Sequence, residues 1–384
     1  MFLKKTKNSQ IIGFTSNDSL SLGVEIEMQI IDKKSLNLTP HFKELLAACK
    51  DSKRLEAEFY LSTAEINGTH KCRNVQEIEQ DFEKSVKQAL AAAKKIKVKL
   101  AATGCHPLSK YNDCQISPSK RYIELAMRNQ WIAKRMTVYG LHIHLGMKSG
   151  DDYIKFSNFF FHFIPHLLAL SASSPFWQGD DTGLSSCRPT TYESLPTAGQ
   201  PYIVKNWKAF QNLYQSLMKC GAINSIKDLW WDMRPSPIIG TLEIRACDGC
   251  ATLAETYAIT AFTHLLAMWF EKNCHKTKKL AAPIHWMVRE NKWRAIRFGL
   301  DADLVKDEKG NIIPIKDDIK TWLKRLEPLS RKMKYENYIK TLHNILEKGN
   351  STQRQMKVFK KTKSIREVVK FNIREFENRQ PIWD

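Results

Sequence analysis

A chain of 384 residues with 43% hydrophobic content can bury a full core in one large or two smaller domains, which sets disorder aside as its default state. The 60 Lys and Arg against 40 Asp and Glu leave a formal charge of +20, which calls for acidic partners but does not choose among nucleic acid, anionic membrane, nucleotides and carboxylates. Much of the excess lies late: from Arg331 onward there are 14 Lys and Arg against 6 Asp and Glu, about +8 net, read first as a solvated basic face.

The start, "MFLKKTKNSQ", has too short an apolar stretch for a secretory signal, so export is not expected and the cytoplasm is the expected compartment. "SLGVEIEMQIID" is the first β-rich segment and "AEFYLSTAEING" the second. "NVQEIEQDFEKSVKQALAAAKKIK" combines good helix formers with an apolar stripe at three-to-four spacing and predicts a helix. "KVKLAATGCHP" and "YGLHIHLGM" read as further strands. The greasy run "FSNFFFHFIPHLLALSASSPFW" is interrupted by His162, Pro165 and His166, and predicts a buried helix rather than a membrane span. "SPFWQGDDTGLSSCRPTTYESLPTAGQPY" is a long loop by composition, and loops of that length in compact domains usually carry function. "GTLEIRACD" is the last strand and "LAETYAITAFTHLLAMWFEKN" a second long helix. After about residue 284 the chain turns helical and basic, with a turn at "DEKGN".

Strands separated by helices of varied length predict a mixed or antiparallel sheet with helices on one side, an α+β fold. Nine cysteines are scattered without the spacing of a disulfide framework. The one C-x-x-C, Cys247 and Cys250, reads as a pair of reduced thiols before it reads as a metal or redox centre.

Three strands share an oddity. Side chains alternate along a strand, so Glu25 and Glu27 in "GVEIEM" face opposite to Val24, Ile26 and Met28. By the same rule His142 and His144 face away from Leu141, Ile143 and Leu145, and Glu243 and Arg245 face away from Leu242 and Ile244. One such strand is an ordinary amphipathic strand. Three together predict a polar concavity opposite a helix-covered face, and carboxylates held together need a counter-charge that a divalent cation supplies. Glutamates two apart are separated by roughly 6.5 Å at the backbone, so they reach neighbouring cations rather than crowd one. Glu65 joins them in "STAEINGTH", and Glu58 is a weaker addition that needs a bend between the two. Mostly oxygen ligands with one or two imidazoles suit Mg²⁺ or Mn²⁺ better than Zn²⁺.

Arg245 and Arg234 beside such cations are suited to phosphate, because metals neutralise its oxygens and guanidinium forks match their geometry. Neither a G-x-x-x-x-G-K-S/T loop nor a G-x-G-x-x-G turn is present, so a nucleotide must be held by metals and side chains. Without a G-x-S-x-G elbow, nucleophilic serine chemistry has no local support.

With "GVEIEM", "TAEINGTHKC", "GCHPLSKY", "RYIELAMRNQWIAKRMTVYGLHIHLG", "PHLLALSASSPFWQGDDTGLSSCRPT" and "WWDMRPSPIIGTLEIRACD", the chain resembles the glutamate–cysteine ligase type 2 family and its bacterial carboxylate–amine ligases. The resemblance runs from about Leu20 to near residue 355. It implies a glutamine-synthetase-like fold, an antiparallel sheet forming a bowl backed by helices. Glu25, His142 and Glu243 are then expected to share one cation and Glu27, Glu65 and Glu58 another, with Arg245 facing the transferred phosphoryl group and His144 near ATP. Residues 12–283 are expected to form the catalytic domain, with the helical basic region 284–384 packed on it.

The implied reaction is the joining of a small-molecule carboxylate to an amine at the expense of ATP, with Mg²⁺ or Mn²⁺ as cofactor. Arg234, or Arg188 in the long loop, could pair with a substrate carboxylate, although a surface position is an equal expectation for Arg188. Trp230 and Trp231 are candidates for a pocket wall, with at least one of them in the core. Two other readings stand beside it: a metal-dependent phosphotransferase on the same bowl, and a nucleic-acid-binding protein using the basic tail over a degenerate metal site. Nucleic acid is the less expected partner, no membrane is expected, and a homodimer is open.

Overall fold

The computed structural model describes residues 11–50, 52–68, 71–274 and 284–383. The alternating segment around Glu25 forms an 11-residue strand, β1 (Leu22–Asp32). Six more strands join it in one sheet: β2 (Leu55–Ala57), β3 (Thr63–Asn67), β4 (Val98–Ala101), β5 (Leu141–Gly146), β6 (Met233–Ser236) and β7 (Thr241–Ile244). Their order is β6-β7-β5-β1-β3-β2, with β4 also pairing β1, and every pairing is antiparallel. Because Glu25 and Ile26 pair with both β3 and β5, and Gln29 with both β3 and β4, strands β4 and β5 share one edge of β1.

One face of the sheet is hydrocarbon. Val24, Ile26, Met28, Leu141, Ile143, Leu145, Leu242 and Ile244 are all buried there. The helix Val75–Lys95 lays Val75, Ile78, Phe82, Val86 and Ala89 into the same core, at the spacing that aligns side chains along one helical stripe. Asn74 starts it by accepting the Glu77 backbone N–H. Behind it the helix Leu253–Asn273 is buried without interruption from Leu253 to Ala267, as expected of a helix enclosed on all sides. The expected α+β bowl with an antiparallel sheet and a helical backing is the fold observed.

Two expected elements divide. "AEFYLSTAEING" reverses direction between Ala57 and Thr63, so that Ala57 pairs with Ala64 across a hairpin. Phe59 and Tyr60 cause the departure, because they leave the sheet for a second apolar cluster with Tyr122, Met136 and Tyr192. The greasy run forms two buried helices, Gly150–Phe160 and Ile164–Ser171, with Pro165 in the first turn of the second, where its missing N–H has no intrahelical partner to lose. Among the described residues no helix is long and apolar enough to cross a membrane.

The later helices enter the same core. Ile315–Met333 and Glu336–Lys348 pack on Leu253–Asn273, His285–Phe298 on Ile164–Ser171, and Ile365–Asn378 on β4. "DEKGN" closes the short hairpin between Asp303–Val305 and Ile312–Pro314. Arg354 fastens this region: it is 2% exposed, donates from Nε to Glu375 at 2.6 Å and from Nη2 to Glu255 at 2.9 Å, and lies 4.9 Å from the ring of Trp383. Removing one partner of a buried ionic group strands the others in low dielectric. Arg354→Met is therefore expected to lower the unfolding free energy by about 3–5 kcal/mol, measured by urea denaturation, whereas Arg331→Met, on an exposed pair with Glu327, should change it by less than about 1 kcal/mol.

Candidate active site

Directly opposed residues of antiparallel strands project from the same face, so the register decides which side chains meet. Glu25 lies opposite His142 on one side and Asn67 on the other, Glu27 lies opposite Glu65, and Glu243 lies opposite His144 and Arg234. These rungs line the face away from the hydrocarbon core. Glu25 is central to them, with Oε2 3.1 Å from His142 Nδ1 and Oε1 3.1 Å from His144 Nε2. Nδ1 of His144 lies 2.9 Å from the Thr241 hydroxyl, so both ring nitrogens are engaged. Arg234 grips Glu243 in a fork, donating from Nε and Nη2 at 2.9 Å each, and Arg245 donates to the same carboxylate.

Five carboxylates and two imidazoles form three groups, each with ligand atoms within 4.8 Å of one another: Glu25, Glu65 and His142; Glu25, His144 and Glu243; and Glu27, Glu58 and Glu65. The resemblance implies Glu25, His142 and Glu243 around one cation. In the structure the imidazole beside Glu243 is that of His144, its rung partner, while His142 falls beside Glu25 and Glu65. The bend needed to bring Glu58 to Glu65 is the hairpin between β2 and β3.

Electrostatics show a site short of positive charge at one end. Burial, reinforced by Glu58, pushes the Glu27 carboxyl up to about 7, although Gly140 donates its backbone N–H to it. Burial together with Glu58, Glu25 and Glu27 pushes Glu65 well above the carboxylate range. Burial also opposes ionisation of Glu25 and Glu243. It is outweighed at Glu25 by the charge and hydrogen bonds of the two histidines, and at Glu243 by Arg234 and Arg245, so both are held well below that range. His142 is lowered to about 4 by burial and by Arg245, and its buried Nε2 has no hydrogen-bond partner. An orphaned imidazole nitrogen among carboxylates that repel one another is the donor set a divalent cation would complete, and hard oxygen donors in the majority suit Mg²⁺ or Mn²⁺.

Several residues of the site carry no local sequence signal. A narrow cleft opens beside Glu27 and Arg245, and Trp230 lines it while Trp231 is buried against Phe210. Arg188 also lines it and is 4% exposed, so the surface position expected for it is not where it lies. Its placement starts at Asp248, which accepts from the Ser174 hydroxyl at 2.7 Å and the Ser186 hydroxyl at 2.8 Å, and the Ser174 oxygen accepts the Arg188 backbone N–H. Lys292, from the helix His285–Phe298, reaches Asp232 at 2.5 Å and also pairs with Glu193. Asp232 accepts from the Tyr192 hydroxyl at 2.7 Å, and its carbonyl accepts the Arg245 backbone N–H at 2.7 Å. A buried lysine 60 residues beyond Asp232 thus steadies the backbone that carries Arg245. All nine cysteines are free thiols, with Cys247 and Cys250 buried.

A family model described as glutamate–cysteine ligase family 2 matches residues 21–371. A protein of Bdellovibrio bacteriovorus named "Putative glutamate–cysteine ligase 2" is 43% identical over 361 residues, covering 94% of this chain and 95% of that protein. One of the same name from Thermobifida fusca is 36% identical over 376 residues, covering 96% and 94%. Among solved structures, glutamate–cysteine ligase from Francisella tularensis in complex with AMP superposes with a TM-score of 0.67 at 14% identity, covering 94% of this chain and 90% of that one. A bifunctional glutathione synthetase from Pasteurella multocida gives 0.63 at 12% identity, covering 94% and 52%. At these identities the two structures show a shared fold.

The raised carboxyl of Glu27 sets a testable pH dependence. A folded-state value of about 7 against an ordinary 4.5 favours the metal-free fold fully below about 4.5, and that contribution is lost as pH rises through about 7. A cation that neutralises the group offsets the loss. Saturating Mg²⁺ is expected to raise the melting temperature, by the equivalent of about 2.7 kcal/mol at a hundred times its dissociation constant. The increment should be larger at pH 8 than at pH 6; equal increments in calorimetry would count against the acidic groups as the binding site.

Proposed function

Since this chain belongs to glutamate–cysteine ligase family 2, we propose that it is an ATP-dependent carboxylate–amine ligase that activates a carboxylate, such as the γ-carboxyl of glutamate, as an acyl phosphate and joins it to an amine. The observation that carries this reading is the convergence on one sheet face of five carboxylates, two imidazoles and two guanidiniums. Phosphoryl transfer asks a protein mainly for positioning and charge neutralisation, and such a set supplies both.

In the first step an oxygen of the substrate carboxylate attacks the γ-phosphorus of ATP, and the bond to the β–γ bridging oxygen breaks with its electron pair going to ADP. In the second the amine nitrogen bonds to the acyl carbon, phosphate leaves with the electron pair of the C–O bond, and the amine proton passes to a base. Mg²⁺ or Mn²⁺ would be held by Glu25, His144 and Glu243, by Glu25, Glu65 and His142, and by Glu27, Glu65 and Glu58, and when bound would neutralise phosphate oxygens. Arg245, fixed at the base of the cleft by Glu243 and lying 5.8 Å from the Trp230 ring, presents its guanidinium to the transferred phosphoryl group. Arg234, forked on Glu243, positions that carboxylate rather than the substrate. His144, whose ring nitrogens lie against Glu25 and the Thr241 hydroxyl, orients Glu25 on the nucleotide side of the site.

Screening amino acids in pairs for phosphate release with Mg²⁺ and ATP, with mass spectrometry of the product, tests the reading: an amide supports it, and a phosphorylated acceptor without an amide points to a phosphotransferase. Glu25→Ala and Glu243→Ala are expected to abolish turnover while leaving the circular dichroism spectrum unchanged. Arg245→Lys, which keeps the charge and loses the fork, should slow turnover about 100-fold with Mg²⁺ affinity retained; weakened Mg²⁺ binding would remove Arg245 from the phosphoryl-facing role.

A further inference from the structure

Arg245 lies where the sheet runs out. The last ladder pair of β6 and β7 is Met233 with Ile244, so Arg245 is the first residue past its strand. Its peptide is nevertheless held from both sides: the N–H donates to the Asp232 carbonyl at 2.7 Å, and the Arg245 carbonyl accepts from Arg188 Nη1 at 3.1 Å. Asp232 is itself tied to the long loop. It donates its N–H to the Gly199 carbonyl at 2.8 Å, and the Tyr192 hydroxyl donates to one of its carboxylate oxygens, with the Tyr192 ring 5.0 Å from the Arg188 guanidinium.

The other oxygen of Asp232 takes the Lys292 ammonium at 2.5 Å. Burial opposes the charge of Lys292, and Asp232 and Glu193 outweigh burial, so it stays an ammonium. The two carboxylates differ in what they do without it. The Glu193 side chain is 34% exposed and can be hydrated, whereas that of Asp232 is 2% exposed and would keep only the Tyr192 hydroxyl. A stranded buried carboxylate must move toward water or take a proton, and either change disturbs the peptide that carries Arg245. Lys292 does not line the cleft, and it lies beyond the stretch 12–283 expected to hold the catalytic domain. Nor does the fold by itself call for a lysine, because buried ion pairs replaced by hydrocarbon of similar volume often cost no stability.

We infer that Lys292 is a positioning residue of the phosphoryl-transfer step: through Asp232 it fixes the backbone of Arg245, and with it the guanidinium that meets the phosphoryl group, without touching substrate. The inference rests on the ligase reading. It gives the C-terminal helix His285–Phe298 a part in the chemistry as well as in the core.

Calorimetric titration of the full chain in Mg²⁺ tests it, comparing ADP with ADP plus aluminium fluoride, a mimic of the phosphoryl group in transfer. The wild type is expected to bind the mimic at least about a hundredfold tighter than ADP alone. Lys292→Met should cut that gap by about tenfold or more, the scale on which a small misplacement acts, while leaving ADP within about threefold. In the Arg245→Lys background the same substitution should cost less than about threefold more, because a residue that acts through Arg245 has little left to act on. Should Lys292→Met fail to fold, Asp232→Asn breaks the same pair while leaving Glu193 on the lysine and an oxygen for Tyr192, and is expected to narrow the gap likewise. An unchanged gap in Lys292→Met, or in Asp232→Asn where that variant stands in for it, overturns the inference. So does an equal loss of ADP and mimic, which marks a support of the fold only, and so does a loss that adds in full to that of Arg245→Lys. A wild type that binds ADP and gains nothing from aluminium fluoride takes the phosphoryl-facing role from Arg245 and overturns it as well. If the wild type fails to bind ADP, the ligase reading falls; if it prefers the mimic and Lys292→Met keeps that preference, the role of Lys292 alone falls.

Discussion

Strand β1 brings two glutamates into a position that burial alone would make unfavourable. Glu25 and Glu27 are carried on the polar face of the central strand, and the strands on either side add His142, Glu65 and, one rung further, Glu243. Charges this close in a poorly hydrated bowl repel with little screening. The protein offsets the repulsion unevenly. At the Glu243 end two arginines and His144 are built in, whereas at the Glu27, Glu58 and Glu65 end no protein cation pairs among the described residues, and Arg188 and Arg245 act there only through space. The carboxylates therefore grade from neutralised to unneutralised along the site.

Holding that gradient in place requires rigidity behind it, and much of the rigidity comes from buried polar contacts between distant parts of the chain. Asp248, just past β7, collects hydroxyls from Ser174 and Ser186 and so presses the long loop onto the sheet. Lys292 does the same from the C-terminal side through Asp232 and Glu193. Each of these groups is costly to bury alone and is tolerated because its partners complete it. Arg188 and Arg245 sit at the inner edges of these two networks, so the cleft between them inherits its shape from both.

Much of this was legible beforehand. Period-two alternation in "GVEIEM", "GLHIHLG" and "GTLEIR" was enough to put Glu25, Glu27, His142, His144, Glu243 and Arg245 on one face, because side-chain direction along a strand is a local property. Helix Leu253–Asn273 was equally readable, its bounds coinciding with a stretch of good helix formers. The hairpin at Glu58–Ser62 was not, since its cause is the pull of Phe59 and Tyr60 toward Tyr122, Met136 and Tyr192, which are remote in sequence.

Local sequence, then, determined the alternation, the helix-forming stretches and the kinds of ligand atom available, all of which follow from chemistry within a few residues. Register and long-range packing decided the rest: that His144 rather than His142 stands beside Glu243, that Glu58 folds back to Glu65, and that Arg188 is buried in a cleft instead of lying in water. A one-residue shift between β5 and β7 would leave every strand pattern intact and separate His144 from Glu243, because pairing depends on which backbone groups of two distant segments bond, and no single segment carries that information.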